Sequence, residues 1–158
     1  MKAHRVEGLA PEMELAEAAR RIVAMRTAEL YAFVPEALGE RAASAMHDMR
    51  IAAKRLRYLL EMVGFCFGEV GDEAQARARQ LQDVLGEIHD CDVMLERIAD
   101  SRDGEPDGFD ALAERFRNRR AKQFRRFTAL WDAIEQSGLR DRLLATTFSS
   151  PTQTSVGA

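Results

Sequence analysis

Six apolar residues, Met46, Met49, Ala53, Leu56, Leu60 and Val63, follow one another at intervals of three, four, three, four and three. A helix turns about 100° per residue, so this spacing gathers all six on one stripe, whereas a strand would scatter them over both of its faces. Arg41 to Val63 is therefore predicted to be a helix with a single apolar face, and other apolar faces must cover it. The rest of the chain supplies them. From Glu12 to Val34, behind Pro11 in the first turn, Leu15, Ala19, Ile22, Met25 or Arg26, Leu30 and Phe33 recur at helical spacing. Gly64, Gly68 and Gly71 are expected to break the second helix. Asp72 with Gln75 three residues on reads as a capping pair that opens a third. Ala74, Ala78, Leu81, Leu85, Ile88, Asp92 and Leu95 carry the same rhythm to about Ala99. Ser101 to Gly108 is a loop by composition. Asp107 is placed as the cap of a fourth helix that turns Phe109, Ala113, Phe116, Phe127, Trp131 and Ile134 inward, and beyond Gly138 one more turn runs through Leu144.

The expected fold is all-α, an antiparallel four-helix bundle. Apolar positions make up 46% of 158 residues, enough for one core and hardly for two. The bundle is assigned to residues 12–144, with 1–11 as an N-terminal segment and 145–158, Ser/Thr-rich and without core residues, as a disordered tail. Two cysteines, Cys66 and Cys91, are too few for a disulfide framework and fit no zinc spacing, so a reduced, cytoplasmic setting is expected. Neither is flanked by a histidine that would make it a nucleophile. Met1 to Ala10 lacks the apolar stretch of a secretory signal, and the run Met62 to Gly68 is far short of the roughly 20 residues of a membrane helix.

A formal net charge of -3 excludes a protein that is basic all over, so any polyanion must be met by a local patch. Arginine supplies 20 of the 23 Lys and Arg residues, and its planar fork matches phosphate oxygens two at a time. On the second helix His47, Arg50, Lys54 and Arg57 repeat the core spacing one residue later, which makes a ridge rotated about 100° from the core stripe. It spans roughly 15 Å, long enough for several phosphates of a chain. Arg41 to Leu60 carries a local charge of +4. The fourth helix holds a second cluster, seven cations from Arg115 to Arg126 without one acid, among which Arg115, Arg119, Lys122 and Arg126 share a stripe. Arg120 falls on the inner side of that helix. It must pair with an acid such as Asp92 or face a wet, phosphate-sized groove. On the third helix Arg79, Gln82 and His89 lie on one side. Convergence of these three helices would make a cationic groove in an acidic protein.

The run from His47 to Glu61, HDMRIAAKRLRYLLE, resembles the signature helix of the CHAD domain, the conserved histidine α-helical domain, and Leu81 to Val93, LQDVLGEIHDCDV, is similar to that family's second signature. The resemblance implies a helical bundle whose basic surface binds inorganic polyphosphate, without catalysis and without a cofactor. His47, Arg50, Lys54, Arg55 and Arg57 match the family's anion-binding helix, and Arg79 stands where the family often has a basic residue ahead of LQ. Arg119, Arg120, Lys122 and Arg126 join the candidate polyphosphate-binding residues on charge alone. Family members usually carry two such bundles related by a pseudo-twofold. This chain has one copy, so a homodimer is expected to rebuild the pair.

The proposed chemistry is electrostatic capture with counterion release, His47 donating to phosphate in its protonated form. Three rivals are weighed. His47, His89, Asp90 and Asp132 loosely resemble the ligand set of HD-domain metal-dependent phosphohydrolases. His47, His89, Asp90 and Asp92 could chelate a metal without catalysis. The basic faces could also bind an acidic protein. No membrane partner and no specific nucleic-acid partner is expected, since no base-reading motif and no basic stripe interleaved with exposed aromatics is seen.

Overall fold

The computed structural model describes residues 5–101 and 106–146. Among them all regular structure is helical: α1 (Leu15–Ala32), the short α2 (Val34–Ala37), α3 (Ala43–Val63), a 3-10 turn (Gly64–Phe67), α4 (Gly68–Asp100), α5 (Pro106–Gln136) and α6 (Leu139–Ala145). The four long helices make the expected all-α bundle, with α4 in the middle, packed on α3 along one side and on α5 along the other. The two signature runs lie on α3 and α4. No described helix is long and apolar enough to cross a membrane.

All six residues of the α3 stripe are buried, and they meet Leu81, Leu85 and Ile88 of α4 in a core that also takes in Phe127, Trp131 and Ile134 of α5. Expectation and structure part in α1. Ala19 and Leu30 are buried as expected, but Leu15 is 59% exposed, Ile22, Met25, Arg26 and Phe33 are half-buried, and α1 buries Val23 and Thr27 in their place. Apolar residues stand on more than one face of this segment, and packing shifted the buried face toward Val23. The helix ends at Ala32, and Pro35 opens α2, where its missing N–H leaves no bond unmade. Pro11 lies in a turn ahead of α1 rather than in its first turn.

A second correction concerns the glycines after α3. The break is confined to the 3-10 turn, α4 starts at Gly68, and Asp72 lies inside the helix instead of capping it. Gly68 turns the chain with φ of +56°, a left-handed conformation that side chains disfavour. Gly71 is there for contact. A Cβ at this position would strike the Gly64 carbonyl oxygen and come within 2.9 Å of Phe67 Cβ, so the absence of a side chain lets α4 cross close to the corner. Late in α4 the buried stripe runs through Cys91 and Ile98 rather than Asp92 and Leu95, which are half-buried.

The fourth expected helix is α5. It begins at Pro106, which places Asp107 within its first turn rather than ahead of it. Phe109 and Phe116 are half-buried, whereas Ala113, Phe127, Trp131 and Ile134 are buried as expected. Trp131 meets Tyr31 of α1 edge to face, with ring centroids 4.9 Å apart, and Arg140 of α6 covers the Tyr31 ring at 4.6 Å. Residues 102–105 of the expected loop, and the expected terminal segments at 1–4 and 147–158, lie outside the described residues.

Candidate functional site

The α3 ridge faces the flank of α4 in antiparallel register. The His47 and His89 rings lie 4.9 Å apart, and three residues up α3 the Arg50 guanidinium crosses α4 at Gly86, three residues down, where a Cβ would stand 3.4 Å from Arg50 Nε. This register follows from the two buried stripes, because packing the α3 stripe against that of α4 in one core fixes which residues meet about 100° to one side. His47 Nδ1 and Arg50 Nε are buried atoms with no hydrogen-bond partner among the described residues. Farther along, Lys54 and Arg57 flank the Tyr58 ring, at 5.7 and 4.4 Å from its centroid, and Arg57 Nε lies 3.4 Å from Glu61. Tyr58 is 45% exposed, so the ridge does carry an exposed aromatic, contrary to the expectation from sequence.

Arg55 is five positions from Arg50, about 140° farther around α3, and so stands apart from the ridge. Arg79 is exposed on α4. An open cleft of about 700 Å³ begins at Arg50 and Gly86, crosses the outer face of α4 and ends at Gln123 and Arg126 of α5. Its basic lining, Arg50, Arg77 and Arg126, is matched three against three by Asp83, Glu87 and Asp90 of α4. The cleft is thus mixed in charge, and in place of the expected cationic groove a cationic ridge lies beside it.

The α5 arginines differ from those of α3. Arg119 donates from both Nε and Nη2 to Glu87 of α4. Arg120 donates to the Asp92 carboxylate and, at 2.7 Å, to the Glu40 carbonyl oxygen, which settles the alternative left by the sequence in favour of an ion pair. The Glu87 hydrogen bond and charge raise the pKa of Arg119. Arg126 donates to Gln123 Oε1 at 3.1 Å, and Lys122 is exposed. Of the four α5 candidates, only Arg126 lines the cleft.

Among the polar residues of the cleft, Arg77 and Gln123 were missed, whereas Gln82 was read on one side of the third helix with Arg79 and His89. Arg77 donates to Gln80 Oε1 at 3.1 Å, and Gln82 Oε1 is buried without a partner among the described residues. Only Gln123 carried a signal in the sequence: it lies on the inward stripe of α5 between Arg120 and Phe127 and is 8% exposed. Cys91 is a buried free thiol whose pKa is raised, first by burial, with Glu87, Asp92 and Asp90 acting in the same direction against Arg119. Among the described residues no three His, Cys, Asp or Glu side chains converge as ligands for a metal ion, so His47, His89, Asp90 and Asp92 do not form the ligand set considered from sequence.

Comparison with known proteins covers both signature runs. No curated protein and no solved structure matches the chain. The family model described as the CHAD domain matches residues 2–99, which takes in α1 to α4 up to its last residue and leaves out α5. That match covers more than half of the sequence and includes the ridge and the helix it packs against: the chain belongs to the CHAD domain family.

Proposed function

We propose that this protein binds inorganic polyphosphate along the α3 ridge and performs no chemistry on it. The observation that carries the reading is the contrast in pairing. His47, Arg50 and Lys54 have no ion-pair partner among the described residues, and Arg50 Nε is buried without an acceptor, whereas Arg119 and Arg120 on α5 are neutralised by Glu87 and Asp92. A buried, unpaired guanidinium nitrogen is costly unless a ligand oxygen completes it. Arg50, Arg57 and Lys54 would hold successive phosphoryl groups, His47 would donate at one end of the ridge, and Arg79 would extend it from α4. Membership of the family and the match of His47, Arg50, Lys54 and Arg57 to its anion-binding helix support the same reading. Two chains side by side would lengthen a ridge of roughly 15 Å, so we also propose a homodimer, checked by the molar mass in solution with and without polyphosphate.

Titration with polyphosphates of graded length at several salt concentrations tests the binding. Affinity is expected to rise with chain length and to fall steeply with salt, as for any contact that releases counterions. Binding that ignores both length and salt would overturn the reading, and failure of polyphosphate to displace a bound acidic protein would favour the adaptor alternative.

A further inference from the structure

We propose that the cleft over α4 takes a phosphorylated polyol, a sugar or cyclitol phosphate with free hydroxyl groups, in preference to an inorganic phosphate chain of similar charge. The proposal rests on the preceding reading only in taking Arg50 as a phosphate ligand. Arg50 from α3 and Arg126 from α5 bring donors to the two ends of the cleft, and Arg77 of α4, which donates to Gln80 Oε1, is its third cation. Its α4 floor also carries acceptors. Gln82 Oε1 is buried and without a partner, and Asp83 and Asp90 are exposed carboxylates with no ion pair among the described residues, while Glu87 is held by Arg119. Asp83 and Asp90 are seven residues apart, two turns of helix and about 10 Å on one face.

An inorganic phosphate chain lying across this floor would satisfy the arginines but set its oxygens against three acceptors, since its internal groups have no O–H to give. A polyol carried between two phosphates reverses that conflict, because each hydroxyl donates to a carboxylate or amide oxygen while the phosphates reach the arginines at either end. The volume of about 700 Å³ lies in the range of small-molecule sites. No aromatic residue lines it, and Val84 and Leu130 are its only large apolar side chains, so it has no platform for stacking a nucleobase. The same acids explain why polyphosphate is assigned to the ridge and not to the cleft: they repel a ligand that is anionic throughout its length.

The test is calorimetric titration of the full chain with fructose 1,6-bisphosphate and with pyrophosphate at equal ionic strength, on wild type and on the Asp83→Ala/Asp90→Ala variant. Both aspartates are exposed, so the fold is expected to tolerate their loss. Wild type is expected to bind the sugar bisphosphate about tenfold more tightly, in line with the discrimination a site gains by pairing a ligand hydroxyl. The variant is expected to bind the sugar bisphosphate more weakly and pyrophosphate more tightly, opposite changes that partial unfolding cannot produce. Equal or tighter binding of pyrophosphate by wild type overturns the proposal, as does failure of both small ligands to bind. In either case Arg50-dependent binding of long polyphosphate leaves the preceding reading intact, and loss of that binding too would bring down both.

Discussion

The α3 and α5 helices both carry dense clusters of arginine, and α4 lies between them, yet the two clusters do different work. On α5, Arg119 and Arg120 reach across to Glu87 and Asp92 and tie two helices together. On α3, His47, Arg50 and Lys54 have no such counterpart among the described residues, and Arg57 has the looser approach of Glu61 at 3.4 Å. The number of charges does not separate the two regions, for the α5 run of seven cations without an acid is the denser. What separates them is which acids the fold places opposite. Charge density along a helix is thus a poor guide to ligand binding until the facing helix is known.

The sharpest way to break this contrast is a pair of double variants. Arg50→Ala/Arg57→Ala is expected to weaken polyphosphate binding about 100-fold, as two charge-assisted contacts of about 1.5 kcal/mol each would, with unchanged helical circular dichroism. Arg119→Ala/Arg120→Ala should change it less than about threefold; equal losses in the two variants would erase the distinction. Stability should show the reverse pattern. Arg120→Ala strands the Asp92 carboxylate, only 19% exposed, and is expected to lower unfolding free energy by about 2 kcal/mol in urea titration. Arg50→Ala removes no ion pair and should leave that midpoint nearly unmoved.

Gly86→Ala is expected to divide the two properties within one substitution. Its methyl group would touch Arg50 Nε at 3.4 Å, screen it from a ligand oxygen and weaken polyphosphate binding about three- to fivefold, while alanine in a helix stabilises by up to about 1 kcal/mol relative to glycine. A variant that is both less stable and fully competent in binding would show that Gly86 serves packing and not the Arg50 guanidinium. The smallest effect concerns Cys91. Its folded-state pKa is raised, so the unfolded chain gives up the thiol proton first. Its contribution is therefore fully present below the ordinary thiol pKa of about 8.5 and is lost as pH rises above that value. Wild type should lose slightly more stability than Cys91→Ala between pH 8 and 10, and a thiol reagent should label half-buried Cys66 before buried Cys91.

The α3 half of this contrast was legible in the sequence, because core stripe and ridge obey one local period and need no knowledge of neighbours. The pairing of Arg120 with Asp92 was legible only as one of two alternatives, since an arginine on an inner face has to find either an acid or a wet groove. The partner of Arg119 was not legible. Glu87 is 32 residues away, and only the packing of α4 on α5 brings them together. The start of α4 was misread for a related reason: Gly71 reads as a breaker in isolation, and its use in a close helix crossing exists only once Gly64 and Phe67 stand against it. The cleft was the least visible, because Arg77, Gln80 and Asp83 are ordinary surface residues of a helix until α3 and α5 wall them in.

The corner between α3 and α4 measures out the site from a distance. It consists of four residues of 3-10 turn closed by the contact between Gly71 and the Gly64 carbonyl, and it lies about four turns of helix from Arg50. Three steps up α3 correspond to three steps down α4, so the two helices mesh like a rack whose zero is this corner. One residue inserted there would slide α4 by about 1.5 Å and rotate it by about 100° beneath α3. Every facing pair from the corner to His47 and His89 would be exchanged together, and Arg50 would lie over a side chain instead of over Gly86. Length at the corner is therefore as much a determinant of the phosphate site as the identity of any cation in it.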